Sequence, residues 1–481
     1  MKKNYLIIDI GTGNVRVAIT GSNGQVWGIE RENVTYYKDE QYPEALGFGP
    51  NELWRQIMGL GKRILERFPD ASIAAITVSS QREGIVLLDR QNSALIGLPN
   101  HDHRGRQWEA DIQEKDYIYS KCGRYPNSIF SALKLVGLRN RRPEIYNQMA
   151  SFLSISDWAQ FMLCGVKGYE HSQASETLLY DVEAKQWSEK LCALFGIDRS
   201  ALPPLHASGT TLGPVSANIA KELGISKNTP VIVGGSDTQL AIKSTSPALN
   251  DVVIVAGTTT PVVKLTGEYI IDPQQKTWTN RHIEDHRFIL ETNAGVTGLN
   301  FQRLKEIFYP REGYDIIEEE LKTANARCTA SLGSLIADEE RPVTRGGFIF
   351  ETPIPHNLTR ADLVRAAFLD IACCIRENYE YLNGVSPHDQ DYVWGCGGGF
   401  QSETLTQLLA DLMGKEIRIR ESFQHASIIG GIHVCNTALG VPKAAVEDTV
   451  TRVLPNAGRQ LMLRQQEWKK TREQIKETFS R

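Results

Sequence analysis

Long apolar runs are missing from this chain of 481 residues. The longest, such as Val252–Ala256 and Ile428–Ile432, fall far short of the roughly 20 residues that cross a bilayer, so no membrane span is expected. Lys2 and Lys3 do precede an apolar stretch, but Asp9 interrupts it, and a secretory leader is not expected either. Basic runs are also missing. Lys+Arg 53 against Asp+Glu 57 leaves a net charge of -4, without the electrostatic footprint of a nucleic-acid binder. Cysteine is scarce: eight residues with no C-x-x-C pair read as reduced thiols filling the core of a cytoplasmic protein. The ten histidines include no H-E-x-x-H; His282 and His286 have the spacing but not the order, and His101 and His103 around Asp102 read as a polar loop. What is present is ordinary globular material, 41% hydrophobic and 23% charged, enough for two or more domains with cores of their own.

The pattern along the chain is that of an α/β protein. Tyr5–Ile10 is a buried strand, Gly11-Thr12-Gly13 a turn, and Val15, Val17 and Ile19 alternate with Arg16, Ala18 and Thr20 as a second strand. Val26–Val34 reads as a third. Asn51–Phe68 is an amphipathic helix, Ser72–Ser79 a strand, and Gly84–Leu88 with Ala94–Leu98 a hairpin. A second copy begins halfway along: Val252–Ala256, the turn Gly257-Thr258-Thr259-Thr260, then Pro261–Leu265 and Tyr269–Ile271. A strand running into glycines and a helix also occurs twice, at Gly234-Gly235 and at Gly397-Gly398-Gly399. This pattern implies internal duplication. The polar, proline-containing stretch Lys243–Asn250 divides the halves, giving domains 1–245 and 246–481. Asn456–Arg481 reads as a charged closing helix docked by Trp468, Ile475 and Phe479.

Three polar features could carry chemistry. Asp9 ends an apolar strand, where an unpaired carboxylate is costly, and it precedes glycines whose N–H groups can face an anion. Mg²⁺ near Asp9 with phosphate oxygens near Gly11–Asn14 would reconcile the two; an Asp capping a tight turn is the bland alternative. A Rossmann reading of Gly11–Arg16 is disfavoured because a strand pattern follows and Arg16 stands where the third glycine belongs. Asp237 opens a helix after Gly234-Gly235 and is either an N-cap or a general base. Gln81-Arg82-Glu83, with Asn100, Asp102 and Arg104, could form a pocket for vicinal hydroxyls or an ordinary solvated turn. Val255 stands where the first half has Asp9, and Gly397–Gly399 offers no acid matching Asp237, so acids are expected in the first half only.

Together these segments resemble the FGGY family of carbohydrate kinases. Asp9–Arg16 is similar to its first phosphate motif, Gly234–Asp237 to the catalytic-base segment, Gly257-Thr258-Thr259 to the second phosphate motif, and Gly397–Ser402 with Gln407 and Asp411 to the adenosine motif. Gln81–Leu87, Asn100-x-Asp102 and Ile155–Trp158 look most like the autoinducer-2 kinase branch. The resemblance implies two duplicated actin-like (ribonuclease H-like) domains flanking a central cleft. It implies phosphorylation of a primary hydroxyl of a small sugar or polyol, with ATP and Mg²⁺. Asp237 would be the base and Asp9 and Asp237 the metal carboxylates. Gln81, Arg82, Glu83, Asn100, Asp102 and Asp237 would bind the sugar. Gly11, Thr12, Gly13, Asn14, Arg16, Gly257, Thr258, Thr259, Gly397, Gly398, Gly399, Gln401 and Ser402 would bind ATP. Ser402 departs from the family's usual Asn, and Phe301 from its usual Trp. A non-catalytic actin-like switch is the alternative activity, and a homodimer is left open.

Overall fold

The computed structural model describes residues 3–325, 327–340, 342–442, 449–456 and 458–479. The chain forms two compact units. Unit 1 holds 1–244, 267–289 and 426–447; unit 2 holds 245–266, 290–425 and 448–481. The boundary near 245 is thus joined by two returns of the later chain into unit 1.

Unit 1 is built on a six-stranded sheet. Its strands are β1 (Asn4–Ile10), β2 (Asn14–Gly21), β3 (Val26–Asn33), β4 (Ile73–Ser80), β5 (Thr211–Pro214) and β6 (Pro230–Ser236). They lie in the order β5–β6–β4–β1–β2–β3. β1, β2 and β3 form an antiparallel meander, whereas β4 runs parallel to β1 and β6 parallel to β4. β1 is buried on both faces, as its unbroken apolar run requires.

Unit 2 repeats the plan. Its strands β7 (Val252–Val255), β8 (Thr259–Thr266), β9 (Phe288–Val296), β10 (Tyr392–Cys396), β11 (Glu416–Arg420) and β12 (Val450–Val453) lie in the order β9–β8–β7–β10–β11–β12. β7 and β8 are antiparallel, and β10 and β11 run parallel beyond β7. The turn joining the first two strands closes alike in both units: Gly11 N donates to Asn14 O at 3.0 Å, and Gly257 N to Thr259 O at 3.0 Å.

The duplication is real, but three expectations need correction. The glycine-ended strands are not counterparts: β10 takes the place of β4, and the counterpart of β6 is β11. Glycines mark where a chain must turn, not which rung of a sheet it leaves. The loop matching Gly397–Gly399 is therefore Gln81–Glu83, and the residue matching Asp237 is the exposed Glu421, so the first half has acids without a counterpart at Asp9 and Glu83, but not at Asp237. Tyr269–Ile271 forms no strand; Tyr269 packs on Phe288 instead, with ring centroids 5.7 Å apart. The closing helix (Arg459–Phe479) buries Trp468 and Ile475, but Phe479 is exposed; Asn456, its expected start, is not helical, and its expected end at Arg481 falls outside the described residues.

Helix α1 (Pro50–Arg67) covers unit 1 with the stripe Leu53, Ile57, Leu60 and Ile64. The return into unit 1 is a second helix, α2 (Ala426–Ala438), apolar on nearly all sides. Ile428, Ile429 and Ile432 join Tyr5, Ile7, Ile232 and Leu240 in one buried cluster. Burial, not sequence order, assigns it there. Its Gly430 lies so close to unit 1 that a Cβ would stand 2.1 Å from the Leu240 carbonyl. Among the described residues no helix is long and apolar enough to cross a membrane.

Candidate active site

The end of β1 is a polar knot. The register sets Asp9 opposite Arg16 on β2 and Ser79 on β4. Its carboxylate, 1% exposed, accepts from Ser79 Oγ at 2.6 Å, Arg16 Nε at 3.0 Å and Ser427 Oγ at 3.1 Å. Arg16 Nη2 also donates to Asp9 and, at 3.2 Å, to Ser427. The buried Asp9 charge raises the Arg16 pKa. β2 continues from the turn as a strand, which removes the dinucleotide reading. Ser427 comes from α2, and no local signal in the sequence points to it.

Asp237 is the first residue of the helix Asp237–Thr245, and its carboxylate accepts from the adjacent Thr238 backbone N–H at 2.6 Å, which puts an acid in the first turn. Its environment goes further. Withdrawal from solvent pushes the carboxyl up to about 7; the Asp9 charge raises it too, while Arg82 and the Thr238 N–H pull it down. Asp237 and Asp9 therefore feel each other as like charges.

Gln81, Arg82 and Glu83 are buried, which ends the solvated-turn alternative. Arg82 lies 3.7 Å from the Glu83 carboxylate and 3.9 Å from that of Glu176. Gln81 accepts the Asn100 N–H at 3.0 Å and donates to Tyr36 Oη at 3.2 Å. Asn100 Nδ2 donates to Thr12 Oγ1 at 2.9 Å, and Tyr36 Oη to the Thr12 carbonyl at 2.6 Å. The glycine turn and the hydroxyl-pocket loop are thus one network. Asp102 is placed apart, fully buried, its oxygens receiving Leu46 N at 2.8 Å and Arg104 Nε at 2.7 Å.

Lys134, Glu176 and Arg124 were not singled out from the sequence. Lys134 is fully buried, and its Nζ donates to the carbonyls of Glu83 at 3.0 Å, Asn100 at 3.1 Å and Ile129. Burial pulls its pKa down to about 8. Only its place in the apolar first half of the helix Ser131–Arg141, between Leu133 and Leu135, flags it in the sequence.

In unit 2 a cavity of about 210 Å³ opens beside Gly257, Thr258, Gly398, Gly399, Gln401 and Ser402. Phe301 forms part of an apolar wall, its ring 4.7 Å from that of Phe368 and 6.0 Å from that of Tyr314. Gly397 adopts φ 95, and a Cβ there would meet the Ala256 carbonyl at 2.5 Å. Glu318 pins the loop by accepting from Ser402 Oγ and, at 2.7 Å, from Thr404 Oγ1. Thr259 starts β8 beside the cavity. Gln407 and Asp411 do not line it; they bond each other at 2.8 Å and hold the backbone at Leu454 and Asn456.

A cavity edged by glycine turns and walled by aromatic rings, on an α/β sheet plan that occurs in both units, agrees with one class: a sugar kinase of the actin-like fold. Residues 4–243 match the N-terminal domain of the FGGY family of carbohydrate kinases, and residues 330–439 its C-terminal domain. The chain belongs to the FGGY family of carbohydrate kinases and is a phosphotransferase acting on sugars. It is 48% identical over 438 residues to the Bacillus subtilis (strain 168) protein named "Putative sugar kinase YoaC", covering 90% of each chain. It is 26% identical over 469 residues to the autoinducer-2 kinase of Yersinia pseudotuberculosis serotype O:3 (strain YPIII), covering 91% of this chain and 86% of that one. Its fold matches that of a xylulose kinase from Lactobacillus acidophilus with TM-score 0.84 at 18% identity, over 99% and 98% of the two chains. It also matches that of a Plasmodium falciparum glycerol kinase with TM-score 0.85 at 19% identity, over 98% of each.

Proposed function

We propose that the chain transfers the γ-phosphoryl group of ATP to a primary hydroxyl of a small neutral-bodied sugar or polyol, with a polyol, a ketose or an autoinducer-2-like compound as acceptor. The observation that carries this is Asp237: a carboxyl held near neutrality at a helix start, coupled to Asp9 on one side and to Arg82 and Glu83 on the other. A base of that pKa is half-ionised at neutral pH, where general-base catalysis is most effective.

The residues divide the work. Arg82, a donor fork, and Glu83, an acceptor, suit hydroxyls that both donate and accept. Gln81 and Asn100 fix the loop that carries them. Asp237 takes the proton of the attacking hydroxyl at a carboxylate oxygen, an effect typically worth about 10²–10⁴-fold. Gly11–Asn14 and Arg16 in unit 1, and Gly257–Thr259 and Gly397–Ser402 in unit 2, are the phosphate and nucleotide contacts. Asp102 acts through the loop rather than on the sugar, because both its oxygens are engaged with Leu46 and Arg104.

The donor set fits Mg²⁺. Among the described residues no group of three or more His, Cys, Asp or Glu side chains forms an all-protein cage. Mg²⁺ is ordinarily held by one or two carboxylates together with substrate phosphates. Asp237 is the more open carboxylate here; Asp9, in electrostatic contact with it, would join the ion only by exchanging a donor among Ser79, Arg16 and Ser427. Bound there, the ion would neutralise phosphate charge.

The test is ADP release on mixing with C3–C7 polyols, ketoses and 4,5-dihydroxypentanedione, repeated with Asp237→Asn. We expect sugar-dependent release that falls at least 100-fold in the variant while nucleotide titration is unchanged. Slow hydrolysis independent of any sugar would point to a nucleotide switch. A near-wild-type rate in the variant would remove Asp237 from the base role.

A further inference from the structure

Behind Arg82 the protein buries a second guanidinium. Arg124 is fully buried, and its Nη2 lies 2.6 Å from Glu176 Oε1. It also donates to the Ser175 carbonyl at 3.2 Å and to Asn280 Oδ1, and its guanidinium carbon sits 5.1 Å from the Phe130 ring and 4.9 Å from that of Trp278. The same Glu176 oxygen lies 3.9 Å from Arg82 Nη1. Glu176 is itself 1% exposed. One buried carboxylate therefore stands between two buried guanidiniums, one of which belongs to the hydroxyl pocket.

Charge bookkeeping follows from this placement. Arg82 faces Glu83, Glu176 and, through space, Asp237. Glu176 is shared, closer to Arg124 at 2.6 Å than to Arg82 at 3.9 Å, and Glu83 lies 3.7 Å from Arg82, so the two ionised carboxylates together leave Arg82 its hydrogen-bond donors with much of its positive charge offset. A hydroxyl can use such donors. A carboxylate would meet the like charges of Glu83, Glu176 and Asp237 and give up its hydration for too little attraction.

We propose that Glu176 is a specificity-determining residue that, with Glu83, offsets the charge of Arg82 and so selects an uncharged polyol or ketose over the sugar acid of the same chain length. The inference rests on the kinase reading above, and it names the substrate class within it. Glu176 touches no substrate in this account; it acts by setting the field at Arg82. The sequence signal is faint, since Glu176 lies in the unremarkable run Ser172–Leu179.

The experiment compares D-xylulose with D-xylonate, and xylitol as a second neutral probe, on wild type, Glu176→Gln and Glu176→Asp. Readouts are kcat/KM by ADP release and the melting shift each compound induces. Wild type is expected to prefer the neutral compounds at least 100-fold. Glu176→Gln should cut that preference at least tenfold with the KM for ATP unchanged, and Glu176→Asp, which keeps the charge, should stay within about threefold of wild type. A wild type that takes D-xylonate as readily as D-xylulose overturns the proposal even if the Gln variant fails to fold. So does a folded Gln variant with the wild-type ratio. A chain that releases no ADP with any compound defeats the phosphoryl-transfer reading instead, and the melting shifts then still decide the role of Glu176.

Discussion

Asp9 and Arg16 stand directly opposite one another on the antiparallel strands β1 and β2, and the Asp9 carboxylate accepts Arg16 Nε at 3.0 Å. With Ser79 and Ser427 also donating, a carboxylate that strand burial would otherwise penalise is satisfied by four donors from three elements, β2, β4 and the helix α2. This is the local reason an acid can end an apolar strand. It also ties the cation expected at phosphate to the acid expected at metal.

Asp9→Asn removes the counter-ion of Arg16 without changing shape. Losing one partner of a fully buried pair costs about 3–5 kcal/mol. The Arg16 side chain is 27% exposed, so roughly 2 kcal/mol is expected here. Calorimetric melting should record that loss. A titration of activity against Mg²⁺ should shift its half-saturation to higher concentration. A variant with both properties unchanged would take Asp9 out of the metal role.

The Asp237 carboxyl, pushed up to about 7, predicts the shape of the pH profile. Only its deprotonated form accepts a proton. In the free enzyme, kcat/KM should therefore fall about tenfold per pH unit below about 7 and level off above it. Arg82 lowers this pKa, so Arg82→Gln should move the limb to higher pH, in addition to raising the KM of the sugar. A limb near 4 would mean that the carboxyl is not withdrawn from solvent as its position implies. An unmoved limb in the variant would mean that Arg82 does not act on it.

Much of this was legible in the sequence. Period-two alternation from Val15 and the unbroken run to Ile10 specify the opening meander, because strand faces are set by side-chain parity. The turn at Gly257 was found for the same reason as that at Gly11. The polar loop Gln81–Glu83 was located, but its burial was not, since a charged tripeptide reads alike on a surface and in a paired interior. Sheet order was misjudged where glycine was used as a positional marker. Ser427, Lys134 and Glu176 were missed because nothing local distinguishes them: each acts through residues far away in the chain, 418, 51 and 52 positions distant for Asp9, Glu83 and Arg124 respectively. The return of α2 into unit 1 is likewise a consequence of long-range burial. Its apolar surface, broken only by Ser427, His433, Asn436 and Thr437, is the clue the sequence offers.

Phe301 tests the cavity of unit 2. Its ring lies in the wall with Phe368 and Tyr314, an apolar surface of the kind on which a base can lie. Base–aromatic stacking is worth about 1–3 kcal/mol per base. Phe301→Ala should therefore weaken ATP binding roughly tenfold, equivalent to about 1.4 kcal/mol, while the sugar KM at saturating ATP stays the same. Calorimetric titration with ADP and a non-hydrolysable ATP analogue checks the first, and steady-state kinetics the second. Unchanged nucleotide affinity would place the base elsewhere.

Lys134 joins the carbonyls of Glu83 and Asn100, on the two pocket loops, to that of Ile129 just ahead of its own helix. Its ammonium has three N–H donors and three acceptors, with nothing to spare. Lys134→Met keeps the length of the side chain and strands those carbonyls. At about 1 kcal/mol or more each, the loss should reach roughly 3 kcal/mol and lower the melting temperature clearly. Because the loops at Glu83 and Asn100 lose their common anchor, the KM for the sugar should rise, whereas ATP affinity should not. Wild type contains its own control. Burial holds the Lys134 pKa down to about 8, so above that pH the group becomes an amine with one donor too few for its acceptors. The sugar KM of wild type should climb between about pH 8 and 9, and that of Lys134→Met should stay flat across the same interval. Parallel climbs in both proteins would show that another group governs the alkaline side, and that Lys134 holds the fold without shaping the pocket.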